Sequence, residues 1–156
     1  MSTAAELYQT WLDRMAEAIW WREWDVVSGA MIYPHKMETK DGEIAFHNPD
    51  DMVEAATDFR EYLGRIGANA YLRVCNSADF ADEMQTIRGV HTTYILRGGS
   101  YLVPPFSNQM TLTHVDGLWL GAGIRAAVSN HLCSILSPNQ LRRKQLAEGH
   151  DIIKEG

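Results

Sequence analysis

The chain has 156 residues, 46% of them apolar and 22% charged, which suits one soluble globular domain with a sizeable core. Its net charge of −6 argues against a nucleic-acid partner, because a phosphate backbone needs a basic face. The most apolar window, residues 118–136, contains Arg125, Asn130, His131 and two glycines, so it reads as a strand and its continuation and not as a membrane span. The first residues, MSTAAELYQ, lack a basic segment followed by an apolar run and predict no signal peptide. Cys75 and Cys133 form no CxxC and are expected as free thiols in a reducing cytoplasm.

Taken in chain order, Thr3-Ala4-Ala5-Glu6 fits a capping box, and Leu7, Trp11, Met15 and Ile19 recur behind it at helical spacing. This predicts a helix over 4–18. The cluster Trp20-Trp21-Arg22-Glu23-Trp24 follows, with a short helix through Asp25-Val26-Val27. Met31 to Thr39 reads as a strand, 40–43 as a turn and Ile44 to Phe46 as the return strand. Asn48-Pro49-Asp50-Asp51 is a helix start: a capping side chain, proline at the first position and acids in the first turn. Met52, Ala55, Ala56, Phe59 and Leu63 mark its inner face, and Gly64 or Gly67 its end. Strands are predicted at 70–76, 85–97 and 100–103, with Gly98-Gly99 as a tight turn. Ser137-Pro138 predicts a terminal helix over 138–147, whose solvated side carries Arg142-Arg143-Lys144. No repeat or linker interrupts the chain, so 1–156 is expected as one domain with its core in about 4–130.

The stretch Asn108 to Val128 predicts two long strands folded back at Asp116-Gly117, because a type I′ turn needs positive φ at both central positions. The expected register sets His114 opposite Trp119, Leu112 opposite Gly121, Met110 opposite Gly123 and Asn108 opposite Arg125. One face then carries Asn108, Met110, Leu112, His114, Trp119 and Arg125. The other carries Thr111, Thr113, Leu120, Ala122 and Ile124. The first face is expected to line a pocket. The second is expected to form a homodimer interface, because it is too apolar for open water.

The order helix, short helix, strand pair, helix and long antiparallel strands carries Glu23-Trp24-Asp25 at a helix opening and Asp116-Gly117-Leu118-Trp119 before the last strand. That pattern resembles the NTF2-like (SnoaL-like, cystatin-like) superfamily over about residues 4–130. The resemblance implies an α+β fold: a curved, mainly antiparallel sheet wrapped around N-terminal helices, cone-shaped with an interior pocket, and often dimeric. Members include ketosteroid isomerases, scytalone dehydratase, polyketide cyclases, limonene epoxide hydrolases and non-catalytic modules, so fold alone does not assign a reaction. The steroid isomerase pattern wants a tyrosine in the first helix, which Tyr8 supplies, and an acid on an early strand, where this chain has Tyr33 and His35. The dehydratase-like acid position holds Trp20.

None of the six histidines pairs at a metal-ligand spacing, and no GxSxG, GxGxxG or phosphate-binding loop occurs, so neither metal nor cofactor is expected. An acid–base pocket remains. His35, His91 and His114 can move protons, Arg125 can hold a carboxylate or enolate oxygen, and Asp25 can orient one of the histidines. Trp20, Trp24, Tyr33, Asn108, Met110 and Trp119 are expected as pocket walls, whereas Tyr71, Arg73 and Tyr94 read as wall or interface. Each histidine can equally be a satisfied structural residue. The sequence thus predicts binding of a small apolar organic molecule, with cofactor-independent proton transfer of isomerase, dehydratase or cyclase type. The alternative is a non-catalytic dimeric module whose pocket is filled by its own side chains.

Overall fold

The structure, a computed structural model, describes residues 2–126. The predicted terminal helix over 138–147, with Cys133, His131 and His150, lies outside them. Helix α1 spans Ala4–Trp20 and α2 Trp24–Gly29; strands β1 and β2 cover Met31–Thr39 and Gly42–Phe46; α3 is Pro49–Arg65. Strands β3 (Ala70–Ala81), β4 (Thr86–Arg97), β5 (Ser100–Tyr101), β6 (Phe106–Val115) and β7 (Leu118–Ala126) follow. They form one curved sheet in the order β2-β1-β7-β6-β4-β3, with β5 paired to β4. Every pairing is antiparallel except β1 with β7. The sheet is therefore mixed and mainly antiparallel, with helices packed on one face, an α+β arrangement.

The helices start where their caps place them. Thr3 Oγ1 accepts from the Glu6 amide at 3.1 Å while Glu6 Oε1 accepts from the Thr3 amide at 3.0 Å. Tyr8, Leu12 and Met15 are fully buried along α1, each contributing on the order of 1.5–3 kcal/mol relative to exposure. Asn48 Oδ1 accepts from the Asp51 amide at 2.9 Å to open α3, whose five predicted inner residues are all buried. Gly67, at φ +80°, turns the chain away after it.

Three features depart from the sequence reading. Strand β3 continues to Ala81 because Asn76 is absorbed as a bulge between Cys75 and Ser77. The turn that follows holds Asp82, Glu83 and Met84 all at positive φ without a glycine. In the β6–β7 hairpin, Asp116 (φ 50°) and Gly117 (φ 82°) form the predicted turn, and the register holds from Val115↔Leu118 to Leu112↔Gly121. There it shifts by one residue: Thr111 pairs with Gly123, Met110 with Ile124 and Asn108 with Ala126. Ala122 is the extra residue, and every side chain beyond it changes face. Ile124 and Ala126 turn into the core, while Arg125 turns out.

Two strand glycines let α1 lie close to the sheet. A Cβ at Gly121 would stand 2.9 Å from Trp11 and 2.9 Å from Met31, and one at Gly89 would collide with the Tyr8 ring.

Candidate functional site

Strand pairing builds a polar row into an otherwise apolar inner face. Arg73 on β3 pairs with Thr93 on β4, Cys75 pairs with His91, and His91 pairs with Asn108 on β6. Alternation turns Arg73, His91, Thr93 and Asn108 toward the helices, where all four are buried. Helix α1 lays Tyr8 over them.

The contacts fix the proton positions. Arg73 donates to His91 Nε2 from Nη2 at 3.0 Å and from Nε at 3.3 Å. A guanidinium has no acceptor, so His91 Nε2 carries no proton and the ring's hydrogen sits on Nδ1. Nδ1 lies 2.6 Å from the Tyr8 hydroxyl and donates to it. Asn108 Nδ2 donates to Thr93 Oγ1 at 3.1 Å, and Asn108 Oδ1 is buried without a partner among the described residues. Burial first, and the Arg73 charge second, hold His91 neutral by pushing its pKa down to about 2. Burial drives the Tyr8 hydroxyl well above its usual range. Gln9 braces the strand edge: its amide donates to the Arg73 carbonyl at 2.8 Å and accepts from the Cys75 amide at 2.7 Å.

Arg73 also lines an interior cavity of about 70 Å³. The other walls are mostly apolar, with Met31, Met37, Met52 and Met110 among them, and His35 and Tyr71 are the further residues with polar atoms. His35 is buried on β1, stacked on Phe46. Its Nδ1 lies 3.1 Å from the Gly121 carbonyl, which only accepts, so the proton sits on Nδ1 and Nε2 is a bare lone pair. Burial leads in lowering the His35 pKa to about 4; the Gly121 hydrogen bond opposes the shift, and the Arg73 charge adds to it.

The predicted site residues separate into groups. His35 and Met110 line the cavity, and His91 with Asn108 forms the polar network beside it. His114 packs on Trp119 at 4.8 Å near Phe80, away from the cavity. Trp24 packs half-buried against the core, and the half-buried Tyr33 donates to the Ser28 carbonyl at 2.7 Å; neither reaches the cavity. Trp20 lies under the Arg60 guanidinium at 4.1 Å. Asp25 is exposed in the first turn of α2 and orients none of the described histidines. Arg125 corrects the sequence reading most: the Ala122 bulge sends it to the outer face, where it pairs with Glu38 at 2.7 Å. Arg73 and Tyr8 are the residues that pattern reasoning undervalued. The alternation Tyr71, Arg73, Cys75 and the lone glycine inside β4 were the signals for them.

No protein-family profile and no curated protein sequence matches the chain. Solved structures do. A cystatin-like domain of unknown function from Nostoc punctiforme superposes with a TM-score of 0.60 at 10% identity, covering 99% of this chain and 92% of that one. The chain has the cystatin-like fold of NTF2-like proteins. Aln2 from a Streptomyces species matches at TM-score 0.59 and 15% identity over 78% of this chain and 88% of its own. An NTF2-like protein from Novosphingobium aromaticivorans matches at 0.57 and 11%, over 85% and 88%. At these identities the likeness concerns fold. Among the described residues no helix is long and apolar enough to cross a membrane.

Proposed function

We propose that the chain binds a small, largely apolar organic molecule in the interior cavity and moves a proton on it with His35. The observation that carries this is the cavity wall itself: mostly apolar and methionine-rich, with Arg73, His35 and Tyr71 as its polar members. That composition matches small-molecule sites generally, in which a few polar groups orient a mostly apolar ligand. The volume of about 70 Å³ is well under the roughly 300–1,000 Å³ of drug-sized sites, so the ligand is small. Four flexible methionines let the walls adjust to it. His35 Nε2 can take a proton from a carbon next to a carbonyl. The electron pair then moves onto the carbonyl oxygen, where the Arg73 charge stabilises it, and the proton returns to carbon.

The test is deuterium uptake from D₂O into short ketones and hydroxyketones. His35-dependent uptake, lost in His35→Gln, supports the reaction. Equal uptake with both proteins removes the catalytic role.

A second reading is a non-catalytic dimeric module, favoured by the small cavity volume and by apolar residues left on the surface. Leu72 (49% exposed), Val74 (44%), Tyr101 (63%) and Leu118 (57%) are the largest of these on the strands. The outer-face residues Thr111, Thr113, Leu120 and Ala122 are half-buried in the single chain, and burial of that face in a homodimer fits this reading.

A further inference from the structure

Arg73 as a residue is 7% exposed, yet no carboxylate lies within 4.0 Å of its guanidinium among the described residues. The ion pairs formed there, Lys36–Glu43, Arg88–Asp82 and Arg125–Glu38, are all at the surface. Arg73 spends Nε and Nη2 on one neutral acceptor, His91, and Nη1 has no partner among the described residues. Buried charges are ordinarily paired, because removing an ion from water costs more than neutral hydrogen bonds return. The neighbours supply no negative charge: Tyr8, Thr93, Asn108 and two neutral histidines. None of the described residues brings a negative charge to Arg73, and the apolar cavity that it lines can admit a ligand that does.

We infer that the cavity's ligand is a small organic acid whose carboxylate pairs with the Arg73 guanidinium. This rests on the reading of the cavity as a ligand site and adds the substrate class. The guanidinium fork matches a carboxylate in shape, with two parallel N–H···O bonds. A carboxylate carries one charge against the one cation, and its hydrocarbon body suits the methionine walls. A phosphate monoester would bring more charge than Arg73 balances. In an oxo acid the carbonyl oxygen stands beside the carboxylate, so the one guanidinium serves both and the adjacent carbon is left for His35.

Calorimetric titration at pH 7 with butanoate, hexanoate and benzoate, each beside its primary amide, tests the inference on the unaltered chain. The amides keep size and shape and lose the charge. At least one acid is expected to bind about tenfold or more tighter than its amide. That preference is expected to vanish in Arg73→Met and to survive in part in Arg73→Lys. Acids and amides binding alike would overturn the carboxylate assignment while leaving the cavity as a ligand site. Binding of neither class would overturn both. Acid preference that persists in folded Arg73→Met would place the anion elsewhere and overturn the inference.

Discussion

Arg73 and His91 hold one another in a fixed geometry: two guanidinium nitrogens share the single lone pair on Nε2, at 3.0 and 3.3 Å. His91 has no exposed surface and Arg73 almost none, so the pair stands inside the fold with the charge on one side only. Replacing His91 by Phe keeps the ring and removes the acceptor. It is expected to destabilise the fold by about 3–5 kcal/mol, the scale for leaving a buried charge without its partner. Arg73→Met in that background is expected to restore most of the loss, because the stranded charge is then gone. A urea-unfolding double-mutant cycle reads both effects.

Both buried histidines make stability depend on pH. In the folded chain the pKa falls to about 4 for His35 and about 2 for His91, whereas an unfolded histidine titrates near 6.5. Below 6.5 the unfolded chain therefore binds more protons, and stability falls as pH falls. Each histidine contributes up to about 1.4 kcal/mol per pH unit in that window. Between pH 7 and pH 5 the two together are expected to remove about 3–4 kcal/mol. His35→Phe is expected to about halve the slope between pH 4 and 6.5, because His91 still contributes there, measured by denaturation at a series of pH values.

Close approach of α1 to the sheet gives a contrast between glycines. Gly89→Val puts a side chain where the Tyr8 ring lies, and Gly121→Val puts one against Trp11 and Met31. Each is expected to cost about 1–3 kcal/mol or more through overpacking. A Cβ at Gly123 meets only the Lys36 carbonyl, at 3.3 Å, so Gly123→Ala is expected to cost less than either. Thermal unfolding of the three variants ranks them.

On the outer face, the Arg125–Glu38 pair is half-exposed and solvent-screened. Arg125→Ala is expected to change stability by less than about 1 kcal/mol and to leave ligand binding unaltered. A large loss of binding in Arg125→Ala would return the site to the face that the unbroken hairpin register implies.

Elements with strong local signals were legible in the sequence. The Thr3 and Asn48 caps, the inner face of α3 and the Asp116-Gly117 turn each depend on residues within a few positions of one another. What escaped depends on tertiary pairing. The bulge at Ala122 has no local marker, since the glycines on either side fit a continuous strand equally well, and that one residue moved Arg125 from inside to outside. The parallel pairing of β1 with β7 joins segments about 90 residues apart. His35 could be proposed from its residue type and its strand. The alternation along β3 marks Arg73 as an inner-face residue, but its isolation from carboxylates emerges only once β3, β4 and β6 are side by side.

The most direct test of the interior site uses the methionine methyl groups as reporters. Of seven methionines, Met31, Met37, Met52 and Met110 line the cavity, while Met84 is exposed and Met15 is buried elsewhere in the core. Methyl-labelled protein is titrated with hexanoate and followed by carbon–proton correlation spectra, with Met15 and Met84 as internal controls. Saturable shifts concentrated on the four cavity methyls are the predicted result. Shifts led by Met84, or saturable binding that leaves the four cavity methyls unmoved, would contradict it.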